Sequence, residues 1–178
     1  MTSRAKVLGG MVFAAALSRL LPHPPNAAPI AAMALFGGAR FPDKRSAFLV
    51  PLAAMLASDL LIGVYGMMPV VYLAFALIVC AGFSLRESRG AGKIAAAALA
   101  SSALFFLVTN FGTWAFEGIY PRTLAGLQAC YVAAVPFFRN TLLGDAAYTA
   151  ALFGGLALIE RGFPSIREPG FQPARARI

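Results

Sequence analysis

The residue best placed to do chemistry is a cysteine inside a long apolar segment. Cys80 stands 11 positions after Pro69, so a helix that begins at Pro69 carries the thiol roughly 16 Å along its axis, near the middle of a bilayer. Ala76 and Tyr72 lie one and two turns earlier and leave room for a ligand to approach from that side. Because a thiolate is a soft metal ligand, the pattern favours binding of a transition metal with release of the thiol proton.

Polar and aromatic residues cluster in three segments predicted to lie together at one end of the protein, and few of them are charged. They are His23, Asn26, Tyr65, Met67, Tyr120 and Arg122. Such a surface suits a large and mostly uncharged ligand. The alternative is the belt of aromatic residues that membrane proteins carry at the lipid interface. His23 is the second choice as a metal ligand after Cys80.

A short set of polar residues falls at predicted membrane depth, where such groups are costly unless they are paired or line a cavity. The set comprises Asp59, Thr109, Asn110, Arg139, Asn140 and Asp145. For the two aspartates we favour pairing across helices over a ligand site. The second cysteine, Cys130, is interpreted as a small packing residue.

Several common chemistries lack their motifs. The run from Gly90 to Ile94 ends like a phosphate-binding loop, but Glu87 occupies the position of the first glycine and Ile94 that of the Ser or Thr. The single histidine and two cysteines have no zinc-like spacing, and no nucleophile elbow is present.

The elements that must position these residues are membrane helices. Hydrophobic residues make up 60% of the chain and charged residues 12%, with a mean hydropathy of +0.75, whereas soluble domains carry about 25% charge. The net charge of +8 accompanies long apolar runs, which argues against a nucleic-acid-binding protein. At about 20 residues per crossing, the chain has room for six or seven spans and no separate catalytic domain.

Proline, glycine and charged residues divide the chain into six apolar segments, at about 5–21, 27–40, 46–63, 69–85, 93–115 and 139–160. We interpret 124–138 as a folded-in cap before the last helix, because Pro136 and Arg139 interrupt it; a seventh span is the alternative. The expected fold is an all-α integral membrane protein with one six-helix domain over 1–163 and a polar cytoplasmic tail over 164–178.

Charge sets the expected orientation. With both termini in the cytoplasm, 12 of the 15 basic residues fall in cytoplasmic segments, as the positive-inside rule requires.

Ala28 and Ala32, followed by Phe36 at the same spacing, form a small-residue face in the second segment. This face allows close helix packing, either against the protein's own helices or against a partner.

The sequence resembles the solitary substrate-binding (S) components of energy-coupling-factor (ECF) transporters, in particular the vitamin B12-specific BtuM group. The similarity spans nearly the whole chain. It rests on the six spans and on three stretches, PHPPNAAPIAAMALFGGARF at 22–41, VYLAFALIVC ending at Cys80, and YPRTLAGLQACYVAAVPFFRNTLLGD at 120–145.

The resemblance implies a subunit of the bacterial inner membrane that captures cobalamin from outside. Release would require a transmembrane coupling subunit and two ATPase subunits, with no nucleic acid involved. Cys80 takes the position of the family cysteine that ligates cobalt, and Ala28 and Ala32 match by type the residues that dock the coupling subunit. A thiolate so placed would also displace cyanide from cyanocobalamin. Two other hypotheses are a membrane thiol oxidoreductase that acts on a lipid or quinone through Cys80 and Cys130, and a purely structural subunit.

Overall fold

The computed structural model describes residues 2–168, and every regular element in this range is helical. The α-helices are α1 (Ser3–Ser18), α2 (Ile30–Arg40), α3 (Lys44–Ile62), α4 (Met68–Gly82), α5 (Ala91–Phe116), α6 (Leu124–Thr149) and α7 (Gly155–Gly162). A 3-10 turn over Phe83–Leu85 extends α4, a π-helical turn over Ala150–Gly154 joins α6 to α7, and another 3-10 turn covers Pro164–Ile166. Most of the predicted tail, from residue 169 onward, lies outside the described residues.

Four stretches in the described range are long and apolar enough to cross a membrane: Lys44–Ile62, Met68–Leu85, Ala91–Phe116 and Leu124–Gly162. The first two helices are shorter, with 16 residues in α1 and 11 in α2. An 11-residue apolar helix is typical of a buried core helix, and α2 is buried from Ala31 to Arg40. The all-helical fold with six successive helical stretches is therefore confirmed for the described residues, and four of these stretches could cross a membrane by length and composition.

The predicted cap at 124–138 is wrong, because this stretch forms the first half of α6. The helix runs without a break through Pro136 and continues to Gly162, for 39 residues in all. Proline removes one backbone N–H from the helix, and neighbouring helices make this tolerable in membrane proteins. At 1.5 Å per residue the stretch is about 58 Å long, so it extends well beyond a hydrocarbon core of about 30 Å.

The central helix α2 packs against α3, α4, α5 and α6. Its contact with α4 is backbone to backbone: a Cβ added to Gly38 would lie 2.0 Å from the carbonyl oxygen of Val79. A Cβ on Gly82 would lie 2.5 Å from the carbonyl oxygen of Leu35. Ala32 is 1% exposed, so this member of the predicted small-residue face packs against the protein's own helices.

Ion pairs close one end of the bundle, where α1 begins and α7 ends; we call it the basic end. Glu160 accepts from Arg4 at 2.6 Å and from Arg89 at 3.1 Å, and Arg89 also pairs with Glu168 at 2.7 Å. Arg4 donates to the backbone oxygen of Ile166, which is buried. Residues 164–168 therefore pack on the bundle, although the predicted tail begins at 164.

A second buried ion pair lies near the opposite end. Asp59 of α3 is fully buried and accepts from Arg19, directly after α1, at 2.6 Å. Tyr72 of α4 donates its hydroxyl hydrogen to the other carboxylate oxygen at 2.9 Å. The expected pairing of Asp59 across helices is confirmed, and it joins α1, α3 and α4.

Candidate functional site

A cavity of about 520 Å³ opens at the end of the bundle opposite the basic end. Its walls come from the start of α2, the second half of α5 and most of α6, with one contact from α4. Its volume lies within the range of sites that bind small organic ligands, about 300–1,000 Å³.

The cavity combines aromatic walls with polar groups at several depths. The aromatic residues are Phe105, Phe106, Tyr120, Phe137 and Phe138, and the polar ones are His23, Asn26, Thr109, Asn110, Thr113, Cys130, Thr141 and Asp145. Apolar walls with a few placed polar groups are the usual composition of a site that orients an organic molecule.

One face of α6 supplies most of this lining. Cys130, Ala134, Phe138, Thr141 and Asp145 are spaced by four or three positions and all line the cavity, which is the spacing of residues on one side of an α-helix. This stripe exists because α6 continues through Pro136. If 124–138 were a cap followed by a separate helix, these five residues would not lie on one helix face.

The facing wall is held in place by internal hydrogen bonds of α5. Thr109 donates its hydroxyl hydrogen to the backbone oxygen of Phe105 at 2.8 Å, and Asn110 donates a side-chain amide hydrogen to the backbone oxygen of Phe106 at 2.8 Å. The thiol of Cys130 donates to the backbone oxygen of Asn110 at 3.4 Å. These bonds satisfy polar groups at membrane depth and join α5 to α6.

The segment from Pro22 to Pro29 forms one side of the rim and rests on α6. Asn140 donates its amide hydrogen to the backbone oxygen of Pro25 at 3.1 Å, and a Cβ on Gly144 would lie 2.9 Å from the Cα of Ala27. Asn26 has a φ of +63°, a left-handed conformation that asparagine tolerates better than most residues.

The loop from Glu117 to Thr123 forms the other side of the rim. Trp114 of α5 donates its indole N–H to the backbone oxygen of Pro121 at 3.0 Å. Thr123 caps α6 by accepting from the backbone N–H of Gly126 at 3.1 Å. Tyr120 lines the cavity from this loop, so both loops reach the cavity mouth from fixed anchor points.

The predicted ligand-binding residues divide into two groups. His23, Asn26 and Tyr120 line the cavity, as does Ala28, which the sequence had assigned to docking. Tyr72, Ala76, Tyr65, Met67 and Arg122 do not line it.

Each of these outlying side chains has its own surroundings. Met67 packs where a Cβ of Gly112 would be, and Arg122 is exposed. Tyr72 is hydrogen-bonded to Asp59. Tyr65 packs half-buried against the core, and burial, with the charge of Asp59, raises its pKa.

The two cysteines lie in different surroundings. Cys80 is exposed on the outer face of α4, which it shares with the exposed Leu73 and Leu77, and it does not line the cavity. Cys130 is 2% exposed and lines the cavity. Cobalt ligation by Cys80 therefore stays a prediction that this cavity does not support.

A redox pair of the two cysteines is also not supported by their placement. Cys80 is roughly 18 Å along α4 from Met68, and Cys130 is about 9 Å along α6 from Leu124. Both helices begin at the cavity end, and the two thiols lie on an exposed and a buried face respectively. A disulfide needs Cα atoms within about 7 Å.

Asp145 lies at the deep end of the cavity and also lines a second one. The second cavity, of about 580 Å³, follows the groove between α5 and the α6–α7 stretch towards the basic end, and alanine is its most frequent lining residue, so we call it the alanine-lined groove. Ser102 of α5 donates its hydroxyl hydrogen to Asp145 Oδ2 at 2.6 Å. Asp145 is 2% exposed, and it marks the point where the two cavities meet.

Within residues 2–168, no group of three or more His, Cys, Asp or Glu side chains is arranged to hold a metal ion. Cys130 and His23 are the soft or borderline donors that line the cavity.

Comparison with known proteins gives a family and no relative of known activity. Neither the curated proteins nor the solved structures contain a significant match to this chain. A family model matches residues 1–166, which is nearly the full length. The chain therefore belongs to DUF6580, a family of unknown function.

Proposed function

We propose that this protein is the ligand-capturing membrane subunit of an uptake system. The observation that carries the proposal is the cavity at the end opposite the basic end, which two anchored loops border and aromatic and polar side chains line. The positive-inside rule assigns the basic end to the cytoplasm. On that orientation the cavity opens to the outside of a bacterial inner membrane.

Cobalamin is the ligand that we propose, on the basis of the resemblance to BtuM proteins. A whole cobalamin is larger than the cavity, so one edge or one axial face enters it and the rest stays at the mouth between the loops. Cobalt ligation by Cys80 remains part of the prediction, and it requires α4 to rotate. In the described arrangement, Cys130 and His23 are the donors nearest to a cavity-bound ligand.

Transport also requires partners under this proposal. All of the described chain belongs to one helical bundle, so the energy would come from a transmembrane coupling subunit and two ATPase subunits. Since α2 is buried in the bundle, these partners would bind an exposed helix face other than the one that carries Ala32.

A ligand-exchange step is part of the proposal when cyanocobalamin is bound. The cysteine sulfur forms a bond to cobalt, and cyanide leaves with its electron pair. The thiol proton is taken up by the departing cyanide, and cobalt keeps its oxidation state. Cyanide release on incubation with the purified protein would report this step.

Titration of purified protein with cobalamin, followed by visible absorption, tests binding and names the ligating residue. The wild type should bind about one equivalent, and the alanine variants of Cys80, Cys130 and His23 should identify the side chain that perturbs the cobalt spectrum. Failure of the wild type to bind any cobalamin would refute cobalamin as the ligand.

Growth of a B12-dependent strain without its own uptake system supplies the cellular test. Expression of the protein should restore growth at low external cobalamin, and the binding-defective variants should not. Equal rescue by a variant that binds no cobalamin in solution would contradict the proposal.

A further inference from the structure

Asp145 differs from the other buried carboxylates of the described bundle in having no cationic partner. Asp59 pairs with Arg19, and Glu160 pairs with Arg4 and Arg89. Throughout residues 2–168, no ion pair includes Asp145.

One carboxylate oxygen of Asp145 is buried and has no hydrogen-bond partner among the described residues, and we call it the open oxygen. Oδ2 accepts from Ser102 at 2.6 Å, whereas Oδ1 has no hydrogen-bond partner in the described part of the chain.

A buried carboxylate with an open oxygen is costly unless something supplies the missing charge and hydrogen bond. Since Asp145 lines the cavity, a ligand is able to supply both. Above it, the rings of Phe105, Phe106 and Phe138 line the walls, and aromatic faces attract cations at close range.

We infer that Asp145 is the anchor of the cavity, and that the ligand presents a positively charged group, such as a protonated amine, to its open oxygen. This inference rests on the proposed function, because it requires a ligand in the cavity. It narrows that ligand to an organic cation with an apolar or aromatic body. In cobalamin the cobalt(III)–corrin core is positively charged and the nucleotide phosphate balances that charge, so the core is the part of the vitamin that would face Asp145.

The decisive comparison uses two probes of nearly equal shape, 2-phenylethylammonium and the neutral 2-phenylethanol. Binding to the purified wild-type protein is measured by isothermal calorimetry at neutral pH. The ammonium should bind about tenfold to a hundredfold more tightly, the range expected for a hydrogen bond to a charged group. Equal affinity, or tighter binding of the alcohol, would overturn the inference without need of any variant.

Two variants of the acid then locate the effect. Asp145→Asn keeps the size of the side chain and removes its charge, so it should lose the preference for the ammonium and retain the alcohol. Asp145→Glu keeps the charge and should keep part of the preference. An unchanged preference in a folded Asp145→Asn protein would contradict the role of Asp145.

Two alanines of the α6–α7 stretch provide matched controls for the cavity, since each lines only one of the two. Ala134 lines the cavity that holds the aromatic residues, and Ala150 lines the alanine-lined groove. Ala134→Leu should abolish binding of both probes, and Ala150→Leu should not. The reverse result would move the ligand to the other cavity and overturn the inference as stated.

Failure of this inference and failure of the proposed function give different results. If cobalamin binds wild type and Asp145→Asn equally while Ala134→Leu prevents binding, the capture function stands and the anchor is refuted. If cobalamin and both probes fail to bind the wild type, both are refuted.

Discussion

The crossing of α2 and α4 offers the sharpest test of the fold that shapes the cavity. Gly38→Ala would place a Cβ 2.0 Å from the carbonyl oxygen of Val79 and 3.0 Å from the Cα of Gly82. Ordinary contact begins at 3.4 Å, so the two helices must separate by about 1.4 Å at this point. Neither obstacle is a side chain that rotates away, because both atoms belong to the backbone.

The cost follows from the size of this shift. Overpacking a well-packed core costs about 1–3 kcal/mol, and the rigid backbone contact puts Gly38→Ala near 3 kcal/mol. For a chain of this length about 2–4 °C of melting temperature is lost per kcal/mol, which gives a fall of roughly 6–12 °C. Thermal unfolding of the detergent-purified protein, followed by intrinsic fluorescence, measures it.

Gly10 provides a control with the same change of residue. An added Cβ at Gly10 meets nothing within 4 Å, and alanine is the better helix former by about 1 kcal/mol. Gly10→Ala should therefore leave the melting temperature unchanged or raise it slightly. Equal melting temperatures for Gly38→Ala and Gly10→Ala would refute the backbone contact between α2 and α4.

Three further predictions concern other parts of the bundle. Because Asp59 is fully buried and paired with Arg19, Arg19→Gln should lower the free energy of unfolding by about 3–5 kcal/mol. A double-mutant cycle with Asp59→Asn should show strong coupling between the two residues. Additive effects of the two substitutions would contradict the ion pair. In detergent, a maleimide should label the exposed Cys80 and spare the buried Cys130 until the protein unfolds, and the opposite order would contradict their placement. A hydrogen bond from the backbone N–H of Ser46 lowers the pKa of Asp43 from its ordinary 3.8. The stability that Asp43 adds as the cap of α3 is therefore present above pH 3.8 and is lost as the pH falls through the lower pKa of the folded protein. Asp43→Ala should melt at a lower temperature than wild type at neutral pH, and this difference should vanish in acid.

The positions of the helices were largely predictable from the sequence. Long apolar segments separated by proline, glycine and charge specify where helices lie in a bilayer, and five of the six predicted segments match observed helices within a few residues. The exception is the last helix. Pro136 predicts a break, because proline usually ends a helix in water, but α6 continues through it.

The continuation of α6 through Pro136 also forms most of the cavity wall, so the predicted cap left this wall out. Cys130, Phe138 and Asp145 form one stripe only if α6 is continuous. A reading of 124–160 as one helix would have put Asp145 on the same face as the aromatic residues. The spacing of these residues is visible in the sequence, but a cap over 124–138 places Cys130 and Asp145 in different elements.

The rotation of α4 was not predictable. The depth of Cys80 follows from the start of the helix, whereas its direction depends on which neighbours pack against α4. In water, alternation of polar and apolar residues shows the buried face of a helix. In a bilayer both faces are apolar, so Leu77 and Cys80 on the exposed side differ little in type from Ile78 and Val79 in the core.

The stoichiometry of cobalamin on protein purified from cells grown with the vitamin tests the proposed capture site most directly. Native mass spectrometry should show one cobalamin on wild type and on Ala150→Leu, and none on Ala134→Leu, since only Ala134 lines the loop-bordered cavity. Wild type without cobalamin, or Ala134→Leu that retains it, would contradict capture of cobalamin in this cavity.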